Sequence, residues 1–418
     1  MQIKKYQKIN VVDAARDRIS KIFDEFDRMY LSFSGGKDSS VIFHLIMDEA
    51  IKRNRKVGVL LIDLEAQYSD TIVHAKQMIE MYKDNIDLYW VCVPLKLRNA
   101  VTNFEPQWCC WEEEKKEIWV REKPEWAKTQ KDLPFFIDKM EFEEFMVLFG
   151  EWYSHGENCA AFIGIRCDES LHRYCAIATW EKADRQFKDY IWTTKVMPHV
   201  YNIYPIYDWR TEDIWRYHGK FPEKPHNHIY DKMYKAGVKI SQQRLCQPYG
   251  DDQRRGLWLY HILEPETWFK LIARVNGANT GSLYVQENGN IMGYNKITKP
   301  ENHTWRSFCN LLLQTMPKKT REHYIFRFKK MISSWRDRGY EEIPDEAPPE
   351  LESKCWVPSW RRMCRCLLRN DYWCKGLGQM QPKSDAYWKY REIVDKKKEL
   401  RKAAKNEGKR TNRKVATV

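Results

Sequence analysis

Ser32-Phe33-Ser34-Gly35-Gly36-Lys37-Asp38-Ser39-Ser40 decides the fold. The apolar Met29-Tyr30-Leu31 leads into it, and Val41, Ile42, Leu45, Ile46 and Ala50 leave it on one helical face. That spacing predicts strand, glycine turn, helix. Such a turn aims backbone N–H groups and the positive end of a helix at one point, where an anion belongs, most often a phosphate. Gly35 and Gly36 allow close approach of the backbone, Lys37 adds a mobile charge, and Ser34, Ser39 and Ser40 add hydroxyls. The stretch is not a Walker loop, which puts four residues between its glycine and Gly-Lys. An ordinary glycine-rich turn is the competing reading.

Upstream, Val11, Val12, Ala15, Ile19, Ile22, Phe23 and Phe26 recur at helical spacing over residues 10–27. Downstream, Val57 to Ile62 is the continuous apolar run of a buried parallel strand. It ends in Asp63, which the strand's carboxyl end offers to a ribose, a metal or an attacking group, or to a helix cap. Ser69 to Tyr82 reads as a helix, and Leu88 to Val93 as a third strand. Trp108, Trp111, Trp119 and Trp126 then lie among Glu and Lys without a clean period, which predicts a mostly helical insertion at about 104–152, either a lid or packing. Ala160 to Ile165 is the next buried strand, followed by a helix start at Arg166. Val200 to Ile206 is the last strand, with Thr211 as cap of the helix after it.

Alternating strands and helices predict a doubly wound, mainly parallel α/β sheet with a largely helical C-terminal extension. The expected division is an N-terminal helix (1–27), an α/β domain (28–220), a mostly helical region (221–340) and a final piece (341–418). Pro222 and Pro225 mark the second boundary. A hairpin is expected at Gly281 to Gly293, a basic amphipathic helix at Arg321 to Arg338, and a proline-rich acidic linker at Glu341 to Glu352.

The 418 residues carry a net charge of +13, and from Lys389 onward twelve Lys/Arg face four Asp/Glu. A basic tail fits a polyanionic partner such as DNA or RNA, or else a solvated frayed helix. Eighteen Trp and 23 Tyr suit stacking on bases, and equally a large aromatic core. No run of eighteen apolar residues predicts a membrane span, and no apolar stretch follows Met1-Gln2-Ile3-Lys4-Lys5 to make a secretory signal. Twelve cysteines without export fit free thiols in a reducing cytoplasm.

Three motifs carry a resemblance. Ser34 to Ser39 matches, letter for letter, the Ser-Gly-Gly-Lys-Asp-Ser signature of the PP-loop ATP pyrophosphatase superfamily, which grips the pyrophosphate of ATP and cleaves between its α and β phosphates. With Gly164-x-Arg166-x-x-x-Ser170-x-x-Arg173 and Pro205-x-x-Asp208-Trp209, residues 28–220 resemble the phosphoadenosine phosphosulfate (PAPS) reductase family. The resemblance implies an adenine nucleotide alpha hydrolase-like fold and an adenine nucleotide held by Ser32, Phe33, Ser34, Gly35, Gly36, Lys37, Asp38, Ser39, Ser40, Asp63, Gly164 and Arg166. Lys37, Asp38, Arg166 and Arg173 are the expected catalytic set. Arg166 and Arg173, seven apart, share a face if their helix is continuous, and a surface ion pair with Glu169 is the plainer alternative. The implied cofactors are ATP and Mg²⁺, with Asp38 and Asp63 helping to position the metal. Asp208-Trp209 is expected to be scaffold.

The departures are as informative. The Glu-Cys-Gly-x-His motif of sulfate-reducing members is missing, as is the cysteine pattern of iron–sulfur members. Cys355, Cys364, Cys366 and Cys374 are an irregularly spaced metal candidate, or core thiols. Cys246, among Arg244, Arg254 and Arg255, is a candidate reactive thiol or a packed one. Residues 244–256, with the run from Asn370 to Leu377, resemble the subgroup related to immunoglobulin-binding regulator A, which implies a ParB/sulfiredoxin-like partner. Three functions follow: ATP cleavage with adenylyl transfer or sulfur-related modification of an acceptor, nucleotide sensing by a regulator that binds DNA or the partner without turnover, or PAPS-type redox chemistry.

Overall fold

The computed structural model describes residues 8–102, 104–178, 185–251, 256–279 and 298–380. Helix α1 (Val11–Glu25) starts at Asn10, whose side chain accepts from the N–H groups of Val12 and Asp13. It buries Ala15, Ile19, Ile22 and Phe23, the face its spacing predicts. Strand β1 (Arg28–Ser32) delivers the glycine turn to α2 (Lys37–Lys52). Then come β2 (Val57–Ile62), α3 (Ser69–Met81) and β3 (Ile86–Val91).

The chain next makes a short two-stranded ribbon, β4 (Lys96–Arg98) with β5 (Gln107–Cys109), and α4 (Phe142–Ser154). The expected mostly helical insertion is therefore corrected. Before α4 it holds the ribbon's second strand, turns and short 3₁₀ pieces. Its tryptophans explain this, because Trp108, Trp111 and Trp119 are buried and anchor irregular backbone. Trp111 Nε1 donates to the Asp63 carbonyl at 2.5 Å and Trp119 Nε1 to that of Glu112 at 2.9 Å.

β6 (Cys159–Ile163), α5 (Leu171–Ala178), β7 (Thr193–Lys195), β8 (Val200–Ile203) and α6 (Thr211–Lys220) complete the sheet layer. The strand order is β3-β2-β1-β6-β8-β7, with every pairing parallel except the β7–β8 edge. The fold is the expected doubly wound α/β sheet with a helical C-terminal part. From β1 the chain runs outward to β3 and then returns to the other side of β1. The order thus reverses between β1 and β6, and a ligand crevice opens at their carboxyl ends. Arg210 caps α6, with Asp213 accepting from its N–H at 2.9 Å, and Thr211 is the first helical residue instead of the expected cap. Asp208 takes two hydrogen bonds from Arg18 (2.8 and 2.6 Å) and buried Trp209 donates to Val11 at 3.0 Å, so both tie α1 to the end of β8.

Past Pro225, α7 (Ile229–Lys235), α8 (Leu257–Leu263) and α9 (Pro265–Arg274) pack on the same core. A second cluster joins α10 (Trp305–Thr315), α11 (Lys318–Arg336) and α13 (Trp360–Leu368), with the short α12 (Pro349–Ser353) between. The expected linker is instead packed: Glu352 is buried and binds Ser359 (2.6 Å) and Arg361 (3.0 Å). The expected hairpin at Gly281 to Gly293, and the basic tail, fall outside the described residues. Among the described residues no helix is long and apolar enough to cross a membrane.

Buried histidines staple these parts. His44 on α2 pairs through Nδ1 with the Tyr82 hydroxyl (2.7 Å) and through Nε2 with the Pro225 carbonyl (2.9 Å). A carbonyl only accepts, so Nε2 carries the proton and Tyr82 donates to Nδ1. Burial pushes His44 and His74 down to about 3, and His218 down to about 4. In the unfolded chain an imidazole charges below about pH 6.5. Between these values protons favour the unfolded chain, so stability is full above pH 6.5 and falls as pH drops. Thermal melting should therefore move down from pH 7 to pH 5, each histidine costing up to about 2 kcal/mol at pH 5. His74→Asn should flatten that slope. An unchanged or higher Tm at pH 5 contradicts the assignment.

Candidate functional site

The glycine loop sits where the strand order reverses. Gly35 has φ +71°, the left-handed region, and a Cβ there would lie 2.7 Å from Thr71 Cγ2. Its carbonyl accepts from Asn227 Nδ2 at 2.9 Å, and the same nitrogen reaches Thr71 Oγ1 at 3.0 Å. The hydroxyls of Ser34 and Ser39 meet at 3.1 Å, and Ser39 donates to the Gly36 carbonyl at 3.0 Å. Ser34 therefore donates to Ser39. α2 begins at Gly36 with no side chain of its own as cap, and Lys37 N donates to the Tyr230 hydroxyl at 3.2 Å. The helix's positive end thus faces an open cleft of about 1040 Å³.

Opposite the loop, Gly164 closes in from the end of β6. A Cβ on it would lie 3.1 Å from Ser39 N, so any larger residue would press this strand end against the start of α2. Two residues on, the Arg166 side chain is 3% exposed. Its Nε donates to Asp38 Oδ1, while Lys37 Nζ holds Asp38 Oδ2 at 2.8 Å. Burial raises the Asp38 carboxyl, but Lys37 and Arg166 outweigh it and hold the group below the ordinary carboxylate range. Arg166 Nη2 lies 3.6 Å from Glu169, and Nη1 makes no hydrogen bond, with Asp168 at 3.9 Å. A buried guanidinium nitrogen is thus left for a ligand in the cleft that Arg166 lines.

Arg173 also reaches this cleft, though not by the expected route. The helix is broken at Ser170, whose backbone is extended, so Arg166 and Arg173 are not on one helical face. Glu169 joins them by pairing with both.

Three further expectations are corrected. Asp63 is fully buried, and its carboxylate accepts from Trp90 Nε1 (2.8 Å), the Glu65 N–H (3.0 Å) and Arg121, which leaves it aimed at the protein. Ser40 also faces inward, accepting from His74 Nε2 at 2.7 Å while donating to the Gly36 carbonyl at 3.0 Å. The C-terminal cysteines do not converge. Cys364 donates to the Trp305 carbonyl at 3.1 Å, and Cys366 to Asp371 at 3.6 Å. The neighbouring thiols, Cys309 for Cys364 and Cys374 for Cys366, together with burial push both up, so both stay thiols. Among the described residues no three of these cysteines form a metal-sized group.

Beside the cleft lies an apolar slot of about 120 Å³, the scale of one heterocycle. Ser32, Phe33 and Ser34 line one wall, with Tyr68 and Tyr260 stacked 3.8 Å apart nearby. The buried Tyr68 hydroxyl on this slot has no partner. Cys246 lines both slot and cleft, standing where the two meet. Asn227, Tyr230 and residues 239–243 were missed as site residues, because Pro222 and Pro225 read as a boundary and the chain instead turns back over the loop.

With that geometry, the comparisons become decisive at the level of family. The model described as "Phosphoadenosine phosphosulfate reductase domain" matches residues 28–238, half of the chain. The chain belongs to the phosphoadenosine phosphosulfate reductase domain family. A domain of unknown function, DUF3440, matches residues 237–347 and 340–387. The family match runs past the expected boundary at 220 and takes in Asn227 and Tyr230. "Uncharacterized protein YbdN" of Escherichia coli (strain K12) is 40% identical over 394 residues, 94% of this chain and 96% of that one. Among solved structures, PAPS reductase from Candida auris is 12% identical, with TM-score 0.28 over 56% of this chain and 94% of that one. Candida glabrata FMN adenylyltransferase with FAD and inorganic pyrophosphate is 15% identical, with TM-score 0.31. That match covers 54% of this chain and 64%, under two thirds, of the other. Likenesses this remote say nothing of ligand or chemistry in this family member.

The glycine loop gives a direct test. Gly35→Ala forces both a left-handed Cβ and a clash with Thr71, and should lower stability by about 1–3 kcal/mol. Gly36→Ala, with negative φ and neighbours at 3.3–3.4 Å, should cost less. Equal melting temperatures for the two variants would contradict the strain assigned to Gly35.

Proposed function

We propose that this protein binds ATP at the glycine loop and cleaves it between the α and β phosphates, passing the adenylyl group to an acceptor. The carrying observation is Arg166, buried on the cleft it shares with Lys37 and the start of α2, with its Nη1 making no hydrogen bond. In this reading the backbone of Gly36 and the Lys37 ammonium hold the outer phosphates. The base enters the apolar slot, where the Tyr68 hydroxyl supplies a polar contact. An acceptor nucleophile bonds to the α phosphorus, the α–β bridging P–O bond breaks, and pyrophosphate leaves with that bond's electron pair. Arg166 and Arg173 bind the charge that develops on the phosphoryl oxygens, and positioning does the rest.

The two carboxylates expected to position Mg²⁺ do not fit that role. Asp38 is engaged by Lys37 and Arg166, and Asp63 by Trp90 and Arg121.

The cleft's outer rim supports an anionic acceptor with flat groups, of which nucleic acid is one. Arg216, Lys239 and Arg244 stand there with Tyr234, which is 65% exposed. Twelve cysteines, eight of them buried, fit thiols in a reducing cytoplasm. The finer kinship with proteins related to immunoglobulin-binding regulator A, and with it a ParB/sulfiredoxin-like partner, rests on residues 244–256 and 370–377.

Cys246 favours a second reading. A thiol at the junction of slot and cleft suits thiol attack on a sulfonyl group carried by the nucleotide. An S–S bond then forms, the S–O bond breaks, and the nucleotide phosphate leaves.

Pyrophosphate release from ATP with candidate acceptors tests the first reading. Lys37→Ala should reduce release about 100-fold. Nucleotide binding without release from any acceptor makes the protein a sensor instead. Cys246→Ser should leave pyrophosphate release intact, whereas cleavage of a sulfonyl-bearing nucleotide that is lost in Cys246→Ser would move the assignment to the thiol reading.

A further inference from the structure

Beneath the glycine loop, on the side away from the cleft, three potential metal ligands converge. His226 Nε2 lies 2.9 Å from Asp231 Oδ2, and His228 Nδ1 lies 3.0 Å from the same oxygen. All three ligand atoms fall within 4.8 Å of one another, and among the described residues no other His, Cys, Asp or Glu trio does so. We propose that His226, His228 and Asp231 form a binding site for a divalent transition metal of the Zn²⁺ type.

The backbone explains why residues two apart point together. An extended segment already puts residues two apart, such as His226 and His228, on one side. Here the chain turns into α7 at His228, whose φ and ψ are −66° and −13°. The two rings therefore meet, 4.9 Å apart, and Asp231 rises beside them one helical turn after His228. The segment between them is rigid. Asn227 is fully buried and bonded to the Gly35 carbonyl, Thr71 Oγ1 and the Ile229 N–H. Pro225, on the other side of His226, is held by His44. The nearby cation Lys232 is drawn off by Asp70 at 2.7 Å and so does not fill the site.

Two imidazoles and one carboxylate are a nitrogen and oxygen donor set that suits Zn²⁺, Co²⁺ or Ni²⁺ better than Mg²⁺ or Ca²⁺. Metal–ligand bonds of about 2.0–2.2 Å separate neighbouring ligand atoms by roughly 3.3 Å, so each His–Asp pair has to open by only a few tenths of an ångström. His226 and His228 also line a groove of about 530 Å³, which leaves a further coordination position for water. Because Asn227 grips the Gly35 carbonyl, a metal here would stiffen the loop from below, whatever the loop binds.

The test uses the full chain without an affinity tag, stripped with chelator and titrated with Co²⁺ and Zn²⁺. One Co²⁺ per chain is expected, with the visible bands of nitrogen and oxygen ligation, and Zn²⁺ should displace it and raise Tm. His228→Ala, at a largely exposed position, should weaken binding by more than about tenfold, and Asp231→Asn should do the same. Both variants should melt near the metal-free wild type, which separates a lost site from a lost fold. Thiolate-to-cobalt bands, binding unchanged in His226→Ala/His228→Ala, or no saturable binding at all would each overturn the proposal.

Discussion

The Asp38 carboxylate, shared between Lys37 and Arg166, is the contact on which the site depends. Asp38 and Lys37 stand in the first turn of α2, and Arg166 follows β6. The two strand ends on either side of the topological reversal are thus fastened by one buried anion. Removing Asp38 would leave the buried Lys37 ammonium without its ion-pair partner, a cost of about 3–5 kcal/mol for a buried pair. Gly164 makes the contact possible, because a side chain there would push β6 away from α2. The same requirement selects Gly35, whose conformation lets Asn227 bind its carbonyl. The loop is therefore rigid before any ligand arrives, which reduces the ordering cost of binding.

Much of this was legible in the sequence, for physical reasons that also mark its limits. Parallel strands buried on both faces appear as unbroken apolar runs, so Val57 to Ile62 is read to the residue. The glycine loop is legible because backbone exposure to an anion needs a rare residue pattern. The irregular stretch from 104 to 141 was not legible, since its order comes from tertiary anchors such as Trp111 on the Asp63 carbonyl. Asp63 misled for a related reason: the strand end predicts where its Cα lies, while Trp90 and Arg121, distant in sequence, decide what its carboxylate meets. Ser170 broke a helix that spacing alone would have continued.

The segment from Pro225 to Cys246 shows how a boundary signal can conceal function. Prolines end helices, and two of them within four residues resemble a linker. Here they end α6 and let the chain double back, so that Asn227 and Tyr230 support the loop while Cys246 reaches the slot. The site is consequently built from both matched regions, since Cys246 lies in the part that matches the domain of unknown function. Any chemistry particular to this relative of the reductases is expected in that second contribution, because the first is the shared cradle.

The choice of arginine at position 166 bears on how the cradle can be both stable and receptive. A lysine engaged by Asp38 would have to leave it, at least in part, to meet a phosphate. Arginine carries five N–H donors in a fixed plane. Nε serves Asp38, Nη2 faces Glu169, and Nη1, with Asp168 at 3.9 Å, makes no hydrogen bond. An incoming anion can bind Nη1 without breaking the ion pair that holds α2 to β6. The interaction that stabilises the empty site is thus kept in the occupied one, and ligand binding adds to the fold's stability instead of competing with it.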